Sequence, residues 1–121
     1  MPRRKIVITG GAGYIAGRML PALRERYDLT LLDVRTTNRE GKEVKGVIVT
    51  DLLNRDRDAY RQYFKGADAV VHCGFTRAAR PEGRYWAEAD NVNMANNVYQ
   101  TSVEENVRRV VVISSNHAAD Y

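Results

Sequence analysis

Thr9-Gly10-Gly11-Ala12-Gly13-Tyr14-Ile15-Ala16-Gly17 decides the architecture of this 121-residue chain. The stretch follows an apolar run, Lys5-Ile6-Val7-Ile8, and opens a helical pattern. A strand, a glycine-rich turn and a helix N-terminus in that order build a pyrophosphate site, because the first helical amides point outward at an anion. Glycine lets the backbone turn tightly and approach phosphates with no Cβ in the way. Any parallel α/β protein also wants glycine in its first turn, so this stretch alone leaves the ligand open.

Working outward, a strand over 5–9 leads into a helix over 13–27 with Ile15, Met19, Leu20 and Leu23 on its apolar face. Pro21 removes one ladder donor and predicts a bend near Gly17. A second strand follows over 28–33, a polar loop over 34–43 and a short third strand over 44–49. Asn54 is a candidate N-cap, with Asp56 and Asp58 in the first turn of a helix carrying Tyr60, Tyr63 and Phe64 and ending at Gly66. A fourth strand spans 67–73, and a loop with Arg77, Arg80, Pro81 and Gly83 leads to a long helix over 84–106. The fifth strand, 109–114, is built on Val110-Val111-Val112-Ile113. Near-continuous apolar strands imply burial on both faces and hence a parallel sheet. Right-handed crossovers then give an α/β, doubly wound Rossmann sheet in the order 3-2-1-4-5, stopping after the fifth strand.

In that arrangement Asp33 ends the second strand about 20 residues after Gly13, where a carboxylate accepts hydrogen bonds from an adenine ribose. Asp51 ends the third strand within reach of an adenine edge. The carboxylate disfavours a 2′-phosphate, which selects NAD over NADP; Arg35 pulls the other way, because it can pair with a phosphate if Asp33 turns aside. Nothing suggests a flavin pocket. The candidate cofactor contacts are Gly10, Gly13, Tyr14, Ile15, Asp33, Asp51 and Leu52, with Cys73 and Gly74 at the end of the fourth strand. There is no metal-ligand set.

Apolar residues make up 44% and charged residues 28%, an ordinary composition for one domain with its own core. No apolar run is long enough for a membrane span, and there is no signal peptide. A single cysteine, Cys73, rules out an intramolecular disulfide and fits a reducing cytoplasm. The net charge of +4 comes from arginines scattered among acids, as in Arg24-Glu25-Arg26, with no basic stripe for nucleic acid. His72, inside a strand, reads as a packed core residue, and Cys73 as a small strand-end side chain rather than a nucleophile.

These residues resemble the extended short-chain dehydrogenase/reductase family, also called the NAD-dependent epimerase/dehydratase family. The matching pieces are Thr9-Gly10-x-x-Gly13-x-x-Ala16, Asp33, Asp51-Leu52, Asp68-x-Val70-x-His72, Asn91-Val92 with Asn97, and the fifth strand ending Ser114-Ser115. They run through nearly the whole chain in the family's order. Ala16 stands where the family usually has glycine, which the general fingerprint allows.

The tail Ser114-Ser115-Asn116-His117 looks like the uronate dehydrogenases, which oxidise C1 of a hexuronic acid to an aldarolactone with NAD. The resemblance implies that Ser115 holds the reacting oxygen and that Asn116 and His117 face the sugar acid. The plainer alternatives are that Ser115 caps the strand end and that Asn116 and His117 order a loop. Asn91 either bridges to the active site or is an ordinary polar helix residue. Arg77 departs from the small residues of that subgroup; it either brings a cation to an acidic substrate or blocks a uronate.

Family catalysis uses a tyrosine with lysine four residues on, and no tyrosine here has that lysine. The expectation is therefore an incomplete NAD-binding domain over 1–121, inactive by itself, whose parent is a cytoplasmic homodimeric dehydrogenase of a sugar acid. A sugar-nucleotide epimerase or dehydratase is the alternative, or a non-catalytic dinucleotide-binding module if the natural chain ends at residue 121. A chain ending there would leave an open sheet edge at Val110–Val112 and a long helix without its neighbour, and would be expected to associate.

Overall fold

The computed structural model describes residues 3–76 and 81–113. At its centre lies β1 (Lys5–Thr9), whose Val7, Ile8 and Thr9 are completely buried because the sheet is covered on both faces. β2 (Asp28–Asp33) pairs with it on one side and β4 (Ala69–His72) on the other, both parallel, with Ile8 opposite Leu31 and Val71. β3 (Val47–Val49) adds to β2, and β5 (Arg109–Val112) to β4, giving the parallel order β3-β2-β1-β4-β5 expected from the sequence.

Two apolar cores follow from this layering. On one face Val7, Leu32, Leu52, Tyr60, Phe64, Ala67, Val70 and Val98 pack together, the last from helix α2 (Arg84–Glu104). On the other, Ile6, Ile8 and Leu31 meet Ala16 and Leu20 of helix α1 (Tyr14–Arg26). α1 runs on past Pro21 to Arg26, the proline removing only the N–H that Gly17 O would have accepted. Ile15 lies 42% exposed rather than on the buried face, because it sits at the helix entrance above the strand ends.

The structure corrects the sequence reading between β3 and β4. Instead of one α-helix from Asn54 to Gly66, two single 3-10 turns, Arg57–Ala59 and Arg61–Tyr63, are separated at Tyr60 (φ −133°, ψ 0°). Side-chain oxygens compete for the backbone here. Asp51 accepts from Leu53 N–H, Asn54 from Asp56 N–H and Asp56 from Asp58 N–H, so each acid or amide closes a local turn in place of a helical rung. Tyr60 and Phe64 still enter the core, and Tyr60 Oη donates to Asn54 O. β3 also begins later than residue 44: Val44 N–H donates to Thr36 O in the preceding loop, and Gly46 turns the chain at φ +88°.

α2 buries a polar set, Asn97, Thr101 and Ser102, alongside Val98. Thr101 and Ser102 satisfy their hydroxyls on carbonyls four residues back, and Asn97 Nδ2 donates to Leu52 O at 2.8 Å. That amide ties α2 to the chain leaving β3. Trp86 and Val92 of α2 remain 49% and 68% exposed.

Candidate functional site

The glycine turn is wedged where no side chain fits. Gly10 has φ +66°, and a Cβ there would stand 2.8 Å from the carbonyl carbon and oxygen of Cys73 and 2.9 Å from Gly74 N. A Cβ on Gly13 would meet Gly10 O at 3.1 Å. The turn closes through Gly13 N–H to Gly10 O and is fastened to β2 by Gly11 N–H to Leu32 O. Gly13 then caps α1 without a side-chain acceptor, and no acid occupies the first turn. The first helical amides therefore face outward with no intrahelical partner, at the positive end of the helix dipole.

Asp33 stands beside this turn. Its Oδ2 accepts from Ala12 N–H at 2.9 Å, while Oδ1 accepts from Val34 N–H at 2.7 Å and Arg35 N–H at 3.3 Å. One carboxylate thus locks the end of β2 to the glycine turn and fixes the distance between anion cradle and acid.

Two clefts open over the carboxyl ends of the strands. One, of about 290 Å³, is lined by Gly10, Gly13, Tyr14, Ile15, Asp33 and Cys73, together with Arg35 and Arg39. The other, of about 120 Å³, includes Asp33, Asp51, Leu52 and Gly74 with the apolar Val34, Leu53, Phe75 and Met94. Every sequence-predicted cofactor contact lies in one cleft or the other, where an open α/β sheet holds ligands. The donor set fits an adenine dinucleotide: bare amides for a diphosphate, a carboxylate for a ribose diol, and a narrow apolar slot for a base. The slot's walls, Val34, Leu53, Phe75 and Met94, and the loop residues Thr37, Asn38 and Arg39 escaped the sequence reading, because no spacing marks a loop that folds back over a turn.

Below the clefts, Thr9 Oγ1 accepts from Cys73 N–H at 3.1 Å and Gly74 N–H at 3.0 Å. With both amides donating to it, its own proton is directed at His72 Nδ1, 2.6 Å away. In that arrangement Nδ1 accepts and the ring proton sits on Nε2, and burial pushes the His72 pKa below the usual histidine value. It packs edge-on against Tyr99, the structural role expected of it. Burial likewise pushes the Cys73 thiol up to about 11, so it is protonated at neutral pH.

Asn91 of α2 holds both backbone polar groups of one loop residue after β4: its Oδ1 accepts from Thr76 N–H at 2.7 Å and its Nδ2 donates to Thr76 O at 3.0 Å. Thr76 borders the smaller cleft, so Asn91 holds the loop backbone beside it. Arg77, Ser115, Asn116 and His117 lie outside the described residues. Among the described residues, no group of histidines, cysteines and acids could hold a metal, and no helix is long and apolar enough to cross a membrane.

Comparison with known proteins agrees with this geometry. The sequence profile of the family described as "NAD dependent epimerase/dehydratase family" matches residues 6–120. The L-arabinose 1-dehydrogenase (NAD(P)(+)) of Haloferax volcanii is 34% identical over 116 residues, covering 93% of this chain and 41% of its own length. The uronate dehydrogenase of Pseudomonas syringae pv. tomato is 28% identical over 123 residues, covering 99% and 42%. Among solved structures, a short-chain dehydrogenase/reductase superfamily protein from Agrobacterium tumefaciens with bound NAD superposes with a TM-score of 0.73 at 27% identity, over 94% of this chain and 33% of that one. Uronate dehydrogenase from Agrobacterium tumefaciens gives 0.72 at 25% identity, over 97% and 42%. The chain thus spans well under half the length of these relatives. The wedged glycine turn, the acid locked beside it and a profile match across almost every residue lead to one conclusion: this chain belongs to the NAD-dependent epimerase/dehydratase family.

Proposed function

We propose that residues 1–121 are the dinucleotide-holding part of an NAD-dependent dehydrogenase that oxidises a sugar at C1, with a hexuronic acid as the favoured substrate and a lactone as product. The observation that carries this reading is the Gly10 turn pressed against Cys73 and Gly74 with Asp33 fastened to Ala12. In this reading the diphosphate rests on the amides of Tyr14 and Ile15 beside Gly10 and Gly13. Asp33 accepts from the ribose hydroxyls, Asp51 and Leu52 border the adenine, and the Cys73–Gly74 backbone forms the floor. Bound NAD supplies the hydride acceptor.

Ser115 is assigned to hold the reacting sugar oxygen, and Asn116 and His117 to meet the sugar acid, with Arg77 as a cation near its carboxylate. Asn91 is a positioning residue that fixes the backbone of Thr76. A general base is still required to take the C1 hydroxyl proton. No tyrosine in this chain carries the lysine four residues on that would lower its pKa, so the isolated 121 residues are expected to turn nothing over. The relatives support a sugar dehydrogenase: one is named for L-arabinose and one for uronate, at 34% and 28% identity.

The test is a screen of the polypeptide as its gene encodes it, with hexuronic acids and aldopentoses, following NADH absorbance. Reduction with hexuronates supports the reading in full. Reduction with aldopentoses alone corrects the substrate, and absence of reduction with any sugar refutes the dehydrogenase assignment.

A further inference from the structure

We propose that Arg4, Arg108 and Arg109 build an anion site for linked phosphate groups at the amino-terminal end of the sheet, opposite the two clefts. It shares no residue with the dinucleotide site and stands apart from the reading above.

A cavity of about 560 Å³ opens there, and Tyr27, Asp68, Ile6 and Ala69 line it with the three arginines. The strand register explains how it forms. Ile6, Ala69 and Arg109 are neighbours in one row across β1, β4 and β5, so their side chains leave the sheet on the same face. Ile6 and Ala69 belong to the core beneath α1, and Tyr27, the residue that ends α1, packs against the same core. The row therefore passes from an apolar floor to a guanidinium at the start of β5. Arg4 enters from the residue before β1, its carbonyl accepting from Asp28 N–H at 2.9 Å. In the sequence these cations lie far apart among acids; the sheet brings them to one end.

The charge of this cavity is not answered within the chain. Among the described residues none of Arg4, Arg108 and Arg109 forms an ion pair, whereas Arg57 and Arg61 are both paired with Glu104. Asp68 is the one carboxylate in the wall, and its Oδ2 accepts from Lys5 N–H at 2.8 Å. Neighbouring cations rest on backbone carbonyls: Arg3 donates to Arg24 O, Arg24 to Lys45 O and Lys5 Nζ to Lys65 O, at 2.9, 2.8 and 2.9 Å. Those contacts order the side chains and leave their charge uncancelled. Arg24 and Arg26 in the last turn of α1 also offset the negative end of its dipole, which would otherwise disfavour an anion beside Tyr27. Guanidinium forks match phosphate oxygens two at a time, and the Tyr27 hydroxyl is a further donor. Three guanidinium groups around so large a space suit two or more linked phosphates better than one.

The experiment is calorimetric and amide NMR titration of the polypeptide as encoded, in excess NAD, with tripolyphosphate, ATP and inorganic phosphate. Tripolyphosphate is expected to bind with Kd of about 10–100 μM at low salt, and inorganic phosphate at least about tenfold more weakly. The shifts should fall on the amides of Ile6, Tyr27, Ala69 and Arg109. Arg4→Gln and Arg109→Gln should each weaken tripolyphosphate about tenfold, as loss of one charge-assisted contact does. Asp68→Asn should tighten it, and Lys45→Gln, at the same end of the sheet but outside the cavity, should leave it unchanged. ATP binding tighter than tripolyphosphate assigns the site to a nucleotide; ATP binding no tighter assigns it to the phosphate chain alone. Absence of tripolyphosphate binding at about 5 mM overturns the site, whatever ATP does. Equal weakening by Lys45→Gln and Arg109→Gln overturns it by showing a diffuse charge effect, and shifts confined to Gly10, Gly13 and Tyr14 overturn it by placing the anion in the dinucleotide cleft. Failure of NAD itself to bind, with the Ile6 and Arg109 shifts intact, overturns the dinucleotide reading and upholds this site.

Discussion

Replacing Gly10 with alanine probes the site at its tightest point. The left-handed φ of +66° costs a residue with a Cβ about 1–2 kcal/mol. The new methyl would also stand 2.8 Å from the Cys73 carbonyl and 2.9 Å from Gly74 N, all backbone atoms. That backbone is held by two amides donating to Thr9 Oγ1, so it cannot swing aside as a flexible side chain would. Relief requires parting the glycine turn from the end of β4, at a further cost of about 1–3 kcal/mol. Gly17→Ala is the matched control: nothing lies within 4 Å of its Cβ, and alanine inside a helix gains about 0.5–1 kcal/mol. Urea unfolding with a slope of about 1–3 kcal/mol per molar should therefore move the Gly10→Ala midpoint down by roughly 1–2 M and the Gly17→Ala midpoint slightly up. Affinity for NAD should fall with the first variant and persist in the second. Two variants with the same midpoint and the same NAD affinity would refute the wedge as the organising contact.

Three further outcomes follow from the same contacts. Thr9→Val removes the acceptor for Gly74 N–H and the partner of His72 Nδ1, leaving Cys73 N–H on Thr9 O, and should cost about 2–4 kcal/mol in chemical unfolding, most of it restored by serine. Burial lowers the His72 pKa in the folded protein, whereas the unfolded chain titrates near its ordinary value of about 6.5. The stability that neutral His72 confers is thus complete above about pH 6.5 and lost as the pH falls toward the folded value, so Tm measured from pH 8 to 5 should drop less for His72→Gln than for wild type. Cys73, with its thiol pushed up to about 11, should react with iodoacetamide at pH 7.5 far more slowly than free cysteine; equal rates would show an exposed, ionised thiol.

Much of the fold was legible because apolar periodicity and glycine placement agree. β1 and β2 fall at the expected residues, and the order β3-β2-β1-β4-β5 follows from buried strands joined by right-handed crossovers. The segment after β3 misled because Tyr60, Tyr63 and Phe64 have helical spacing. That spacing only requires their side chains to reach one core, and Tyr60 and Phe64 do so from two separate 3-10 turns. The acids and amides that suggested a helix start there close local turns instead. α2 was located by length and pattern, yet its buried face was hidden: Asn97, Thr101 and Ser102 look solvent-facing until their partners in space are known.

In the candidate site, Gly10, Gly13, Asp33 and Asp51 carry position-specific signals, since each chemical role demands one residue type at one strand end. The apolar walls Val34, Leu53, Phe75 and Met94 carry none, because any apolar residue on either loop would serve. Arg39 is equally silent in sequence: its place over Tyr14 depends on how Asn38 folds the loop back.

The most direct measurement of the central claim is an amide NMR titration of the polypeptide as encoded with NAD. The account predicts that the largest shifts fall on the amides of Gly10, Gly13, Tyr14 and Ile15, with Val34 and Gly74 following, and that Asp33→Ala weakens the binding that produces them. Shifts confined to residues away from the two clefts, or none at saturating NAD, would contradict it.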